Sequence, residues 1–300
     1  MIEVSKVTVK WSQGLPSGLT WYFIGQPKTG KTTAASSWST KGSKGVLVLD
    51  TEQGTDFVEG ANRVTITSLN PPVREVTDDD GKVLTRNGAP QYESIPPLER
   101  GYKYRGGTSK GKTMPVYSFA EVLTWLSTDW ELLPYDTIVI DTVDSLNGWV
   151  ETLVCHDLGT KAMGEAEWGA DWGQAKKRVV TIVEKLQGLV KKHDATLVMI
   201  SHSKQTTVVD GKSQIGPELP RGLASSLLAR SDVIGYTTAT KNDGDYYINF
   251  RSYEERMIGS RLKPLSQQEL LFDYKTILET VKKYKEIKAN GSIPAEVVST

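Results

Sequence analysis

The chain has 300 residues, 38% of them hydrophobic, and Lys+Arg and Asp+Glu both total 36, so the net charge is zero. That length allows one large or two modest domains, and the even balance excludes a bulk-basic nucleic-acid binder, so any such surface is a local patch. The single cysteine, Cys155, excludes an intramolecular disulfide and a cysteine-rich metal site, and His156, His193 and His202 show no zinc spacing.

The N-terminus, MIEVSKVTVKW, alternates polar and apolar residues; Val4, Val7, Val9 and Trp11 predict an edge strand or hairpin arm. It lacks the apolar core of a signal peptide, and no run approaches a membrane span, so a reducing, cytoplasmic location is expected. Gly14–Gly18 reads as a turn. Leu19–Ile24, LTWYFI, reads as a buried strand. GQPKTGKTT follows and fits the phosphate-binding pattern G-x4-G-K-[ST]. A loop of this kind turns its backbone N–H groups onto phosphates. The predicted nucleotide contacts are Gly25, Gln26, Pro27, Lys28, Thr29, Gly30, Lys31, Thr32 and Thr33. Lys31 is expected to reach the β/γ oxygens, and the Thr32 hydroxyl a Mg²⁺ ion. A helix is expected to run on to Lys41-Gly42. A second match, Gly106–Thr113, lacks an apolar strand before it, and Pro115 opposes a helix after it, so it reads as a basic loop.

Val46–Leu49 is a compact strand ending in Asp50, Thr51 and Glu52. Asp50 is expected to cap the turn, and Glu52 to polarise an attacking water. Residues 63–69 form a strand. Residues 70–116 are punctuated by Pro and Gly and read as an insertion of hairpins, with DDDGKVL as a turn. Its later part interleaves Arg105, Lys110 and Lys112 with Tyr102 and Tyr104, which suits a single-stranded nucleic acid; a solvated loop fits equally. Ser118 and Glu121 form a capping box for a helix.

Thr137–Ile140 is an apolar strand ended by Asp141, placed to hold Mg²⁺ together with Thr32. Many ring-forming mechanical ATPases carry glutamate after this aspartate; here the residue is Thr142, and Glu52 fills the gap. Leu146–His156 is helical. Trp168 and Trp172 read as core packing in preference to base stacking. From Gln174 the apolar period is helical, with Lys176, Lys177 and Arg178 near its start, an unfavourable end for cations. Thr196–Ile200 is a strand ending in His202, the candidate sensor of the γ-phosphate. The loop that follows is long, with Lys204, Lys212 and Arg221 making it basic. Two strands follow, then Arg251, Arg256 and Arg261, candidates to reach an adjacent subunit's γ-phosphate, and a charged helix over 266–288.

GQPKTGKTT, LVLDTEQG, IVIDTVDSL and VMISHS, in this order, resemble the RecA-like core ATPases, in particular phage-encoded ones related to the Sak-type single-strand annealing recombination proteins. The resemblance covers about residues 19–60 and 135–262. It implies an α/β, RecA-like P-loop core with a mostly parallel sheet flanked by helices. That core would span 1–265, with the insertion at 70–116 and a C-terminal helix and tail at 266–300. It further implies Mg²⁺-dependent ATP hydrolysis with Lys31, Glu52 and His202 as catalytic residues. The implied partners are single-stranded DNA, further copies of the chain in a ring or filament, and a single-strand-binding protein; the location is a host cytoplasm. Two other readings stay open: a P-loop nucleotide or small-molecule kinase, and a nucleotide-switched binding protein.

Overall fold

The computed structural model describes residues 11–12, 14–103, 111–207, 213–239, 244–252 and 256–289. Val4, Val7, Val9, Tyr104, Arg105, Lys110 and Lys212 lie outside them. Eleven strands form the main sheet. They are β1 Thr20–Gly25, β2 Val46–Asp50, β3 Arg63–Ser68, β4 Tyr117–Ser118, β5 Thr137–Asp141, β6 Thr196–Thr207, β7 Ser213–Pro217, β8 Val233–Ala239, β9 Tyr246–Asn249, β10 Gly259–Ser260 and β11 Glu269–Leu271. The order is β4-β3-β2-β5-β6-β1-β8-β9-β11, with β7 beside β6 and β10 beside β8. From β4 to β8 every pairing is parallel. The α/β expectation holds, and the helices explain it. A parallel sheet needs both faces covered, and β1, β2 and β5 are buried from end to end.

The helices are α1 Lys31–Ala35, α2 Phe119–Asp129, α3 Val143–Leu158, α4 Ala170–Lys192, α5 Arg221–Arg230 and α6 Tyr274–Ala289. Alternation along β1 splits the core in two. Tyr22 and Ile24 face a core built with α2, α3, α4 and α5. Trp21 and Phe23 face an aromatic core with Trp38, Phe250 and Phe272.

Several expectations change. The helix after the phosphate loop ends at Ala35, so the chain turns and drives Trp38 into the aromatic core. Trp168 is fully exposed and Trp172 is 41% exposed, so neither packs in the core. Helix α4 begins at Ala170, so Lys176–Arg178 sit in its interior and carry no dipole penalty; Arg178 pairs with Asp157 at 2.8 Å. Among the described residues beyond Ile200, the expected loop is mostly strand: β6 continues to Thr207 and β7 pairs back along it antiparallel, a projecting hairpin. Residues 266–288 are not one helix. They supply β11 to the sheet, then α6, whose Ile277 and Val281 enter the aromatic core.

The insertion forms the expected small hairpins, Val73–Glu75 with Tyr92–Ser94 and Thr85–Arg86 with Ala89–Pro90. Arg100 pins it to α2 by a two-pronged bond to Glu121 (3.0 and 2.7 Å), and the Ser118–Glu121 capping box is present.

Candidate active site

The register places the ends of four strands on one line. Phe23 of β1, Ile200 of β6, Asp141 of β5 and Asp50 of β2 are successive partners across the sheet. The phosphate loop follows β1, and β6 separates β1 from β5, so the end of β6 lies between the loop and Asp141. Ligands of open parallel sheets gather at this rim.

Two glycines in the loop are required by their surroundings. A Cβ on Gly25 would meet the Thr237 hydroxyl of β8 at 2.1 Å. Gly30 has φ +75°, and a Cβ there would meet the Tyr246 ring at 2.4 Å. Thr29 is tied to the same strand by a hydroxyl contact with Thr237 at 2.7 Å. Lys31 donates its ammonium to the carbonyls of Gly25 (2.9 Å) and Gln26 (2.7 Å), bracing the loop from within. Gln26, Pro27 and Lys28 are exposed, and Thr33 points outward.

The Thr32 hydroxyl donates to Asp141 Oδ2 at 2.6 Å, joining the two expected Mg²⁺ ligands. Burial pushes the Asp141 carboxyl up to about 7, opposed by the Thr32 bond and raised further by Asp50 and Glu52. A buried acid beside a hydroxyl, with the further carboxylates of Asp50 and Glu52 acting on it, fits a divalent cation. Asp50 behaves as expected: its carboxylate accepts from Gly54 N at 3.1 Å and from Thr55, and Arg63 stands 3.7 Å away.

Glu52 is held on both oxygens. Oε1 accepts from the hydroxyls of Thr142 (2.5 Å) and Ser145 (3.1 Å), and Oε2 meets His202 Nε2 at 3.2 Å. Burial alone would raise its pKa. The bonds from His202, Thr142 and Ser145 outweigh that and hold the carboxyl down at about 2, an ionised base. Thr142 thus anchors a carboxylate contributed by the neighbouring strand.

Asp144 was not among the sequence candidates. Its Oδ2 accepts from the His202 backbone N–H at 2.6 Å and it also bonds Ser201, whose hydroxyl meets the buried Tyr22 OH at 2.7 Å. Burial pushes Asp144 up to about 7. Its signal in the sequence was a carboxylate in the first turn of the helix that follows Asp141. Asp144→Ala strands the His202 N–H and loosens the backbone that sets the imidazole against Glu52, and a misplaced base is costly. Turnover is expected to fall roughly 10–100-fold with little change in nucleotide affinity. Asp144→Asn keeps an acceptor for His202 N–H and is expected to recover most of it. Steady-state and binding measurements on the two variants check this, and equal loss in both would refute it.

The site also sets a pH dependence. Carboxyls raised in the folded chain, as at Asp141 and Asp144, favour folding below their ordinary 3.8 and lose that contribution as pH rises through about 7. His202 is raised chiefly by its bond to Glu52, so it contributes below 6.5 and loses that contribution above its folded value. Both losses run the same way. Without metal or nucleotide, the melting temperature is expected to fall between about pH 4 and 7, and less so in Asp141→Asn. Calorimetry across that window tests it; a rising profile is the contrary result. Glu52 acts outside the window, contributing above 4.5 and losing that as pH falls through about 2.

The remaining candidates are dispersed. Lys204 and Arg221 are exposed on the β6–β7 hairpin and at the start of α5. Lys112 is exposed in the insertion, which leaves the sheet from β3, three strands from β6, or roughly 14 Å. Arg251 donates to the Gln267 carbonyl at 2.9 Å, and Arg256 lies 4.7 Å over the Tyr236 ring. Arg261 bonds Asp232 at 2.9 Å, and Asp232 also accepts from Thr20 N, at the opposite end of β1 from the phosphate loop. Among the described residues no helix is long and apolar enough to cross a membrane.

A parallel sheet, a phosphate loop after its central strand and an aspartate beside the loop threonine define a P-loop ATPase-type domain. A family model described as an AAA domain (AAA_24) matches residues 17–265, and the chain belongs to that family. A search of curated proteins finds no match.

Proposed function

We propose that the protein hydrolyses Mg²⁺–ATP and couples hydrolysis to single-stranded DNA in a phage-type recombination, annealing, repair or replication process. In this reading it works in the cytoplasm, as an assembly of identical subunits, alongside a single-strand-binding protein. The observation that carries the reading is the course of β6. One unbroken strand holds His202 against Glu52 and then runs out into the projecting hairpin with Lys204. A ligand on the hairpin would pull on the group that orients the base.

Within the site, Thr32 and Asp141 would hold the metal, whose charge supports the triphosphate. Lys31 leaves the Gly25 and Gln26 carbonyls for the phosphate oxygens. Glu52, ionised and held from three directions, takes a proton from the attacking water, and His202 fixes its orientation. Arg251 and Arg256 are candidates for a neighbour's γ-phosphate. The polar end of β6 favours water over a kinase acceptor.

The test is phosphate release with and without single-stranded DNA across a salt series. Stimulation that fades steeply with salt supports the reading, since phosphate contacts release counterions. Lys204→Glu with Arg221→Glu is expected to lose the stimulation. Lys31→Ala is expected to weaken ATP binding about 10–100-fold, the value of charge-assisted bonds. Absence of stimulation removes the DNA role, and transfer of phosphate to an acceptor replaces hydrolysis with kinase chemistry.

A further inference from the structure

The segment between α3 and α4 presents Trp168 to water in full, with φ 57°. A bulky residue in the left-handed region is costly, and so is a bare indole. The segment is nevertheless built. Asp171 is buried and accepts from Gly164 N and Trp172 N, Gly169 N bonds the Ala166 carbonyl, and Lys161 N bonds Glu165. The result is a fixed knob, with Glu165 and Glu167 exposed beside the indole.

Farther along α4 lies a groove of about 600 Å³ between α4 and α2. Its apolar lining is Leu69, Phe119, Leu123 and Ile182; Lys177 and Lys185 stand among its polar lining, and no carboxylate lines it. The middle of the groove lies about ten helical residues, roughly 15 Å, beyond the start of α4 at Ala170, so a chain's knob cannot seat in the middle of its own groove. Shape and charge nonetheless match: an aromatic group with acidic flanks, and an apolar trough with basic walls.

We propose that Trp168 of one copy seats in the α2–α4 groove of a second copy, its flanking glutamates facing Lys177 and Lys185. Knob and groove are different surfaces, so the contact is head to tail and generates a ring or a filament. This deepens the self-assembly part of the proposed function and does not depend on the nucleotide chemistry.

Sedimentation across a concentration series, with and without Mg²⁺–ATP, tests it. The native chain is expected to assemble, and Trp168→Ala to weaken assembly about thirtyfold or more, as for a buried aromatic anchor. Charge reversal provides the second arm. Lys177→Glu with Lys185→Glu, and separately Glu165→Lys with Glu167→Lys, are each expected to be monomeric. Mixing the two proteins makes every unlike contact complementary and is expected to restore assembly. A native chain that stays monomeric in all conditions removes both the interface and self-assembly. Native assembly that Trp168→Ala leaves unchanged removes the interface alone. The proposal also fails if Trp168→Ala loses only single-stranded DNA binding, which would make the indole a base-stacking platform.

Discussion

Glu52→Gln is expected to lower turnover about 10²–10⁴-fold, the usual contribution of a positioned general base, while nucleotide still binds. The amide is nearly the same size and can still accept the Thr142 and Ser145 hydroxyls on one atom. What it loses is the anion facing His202 and the capacity to take a proton. The variant therefore separates chemistry from binding, which an alanine would not do, since it would strand two hydroxyls and an imidazole. Single-turnover phosphate release, paired with nucleotide affinity, gives the readout. Turnover within a few-fold of native would show that the attacking water is activated by another group.

Trp38→Ala is expected to destabilise the fold by about 3–5 kcal/mol, the range for deleting a large buried aromatic. Trp38 is fully buried, with edge-on or tilted contacts to Phe23 (4.7 Å), Trp21 (5.1 Å), Tyr274 (5.6 Å) and Phe272 (5.7 Å). Those partners belong to β1, to the turn after β11 and to α6, so no single element can collapse into the void. The indole N–H is buried without a hydrogen-bond partner, which places the loss toward the low end. In a chain of this size the change is a fall in melting temperature of roughly 5–8 °C. Trp38→Phe, which keeps most of the ring and removes the orphan donor, is expected to recover more than half. A melting point unmoved by the alanine variant would mean that the aromatic core is not what supports the phosphate loop.

The nucleotide rim was legible because its chemistry is written in short contiguous runs. GQPKTGKTT, LVLDTEQG and IVIDTVDSL each carry a strand and the polar residues at its end, so reading the strands also placed Lys31, Glu52 and Asp141. The pairing of Thr142 with Glu52 was legible only as an absence, a missing carboxylate whose replacement had to come from elsewhere; the structure makes the link a hydrogen bond. What was not legible depends on tertiary partners. Helix α1 stops after five residues because Trp38 is drawn under the sheet, a burial that no local pattern encodes. Trp168 read as core because tryptophan usually is; its exposure follows from a braced turn that Asp171 holds from the next helix. The basic residues after His202 read as a loop because glycines punctuate them, yet the pairing of Ser203 with Pro217 through Thr207 with Ser213 makes a ladder. Asp144 carries no local signature of its role, which is to hold a backbone N–H on another strand.

The family match ends at residue 265, but the interior does not. Phe272 stacks edge-on with Phe23 at 4.9 Å, two residues before the first glycine of the phosphate loop, and Ile277 and Val281 close the same layer. A polypeptide cut at the family boundary would therefore keep the whole phosphate loop and lose the backing against which the loop is set. The outermost strand and α6 act as a keystone, and the phosphate loop has its rigid floor only when they are in place.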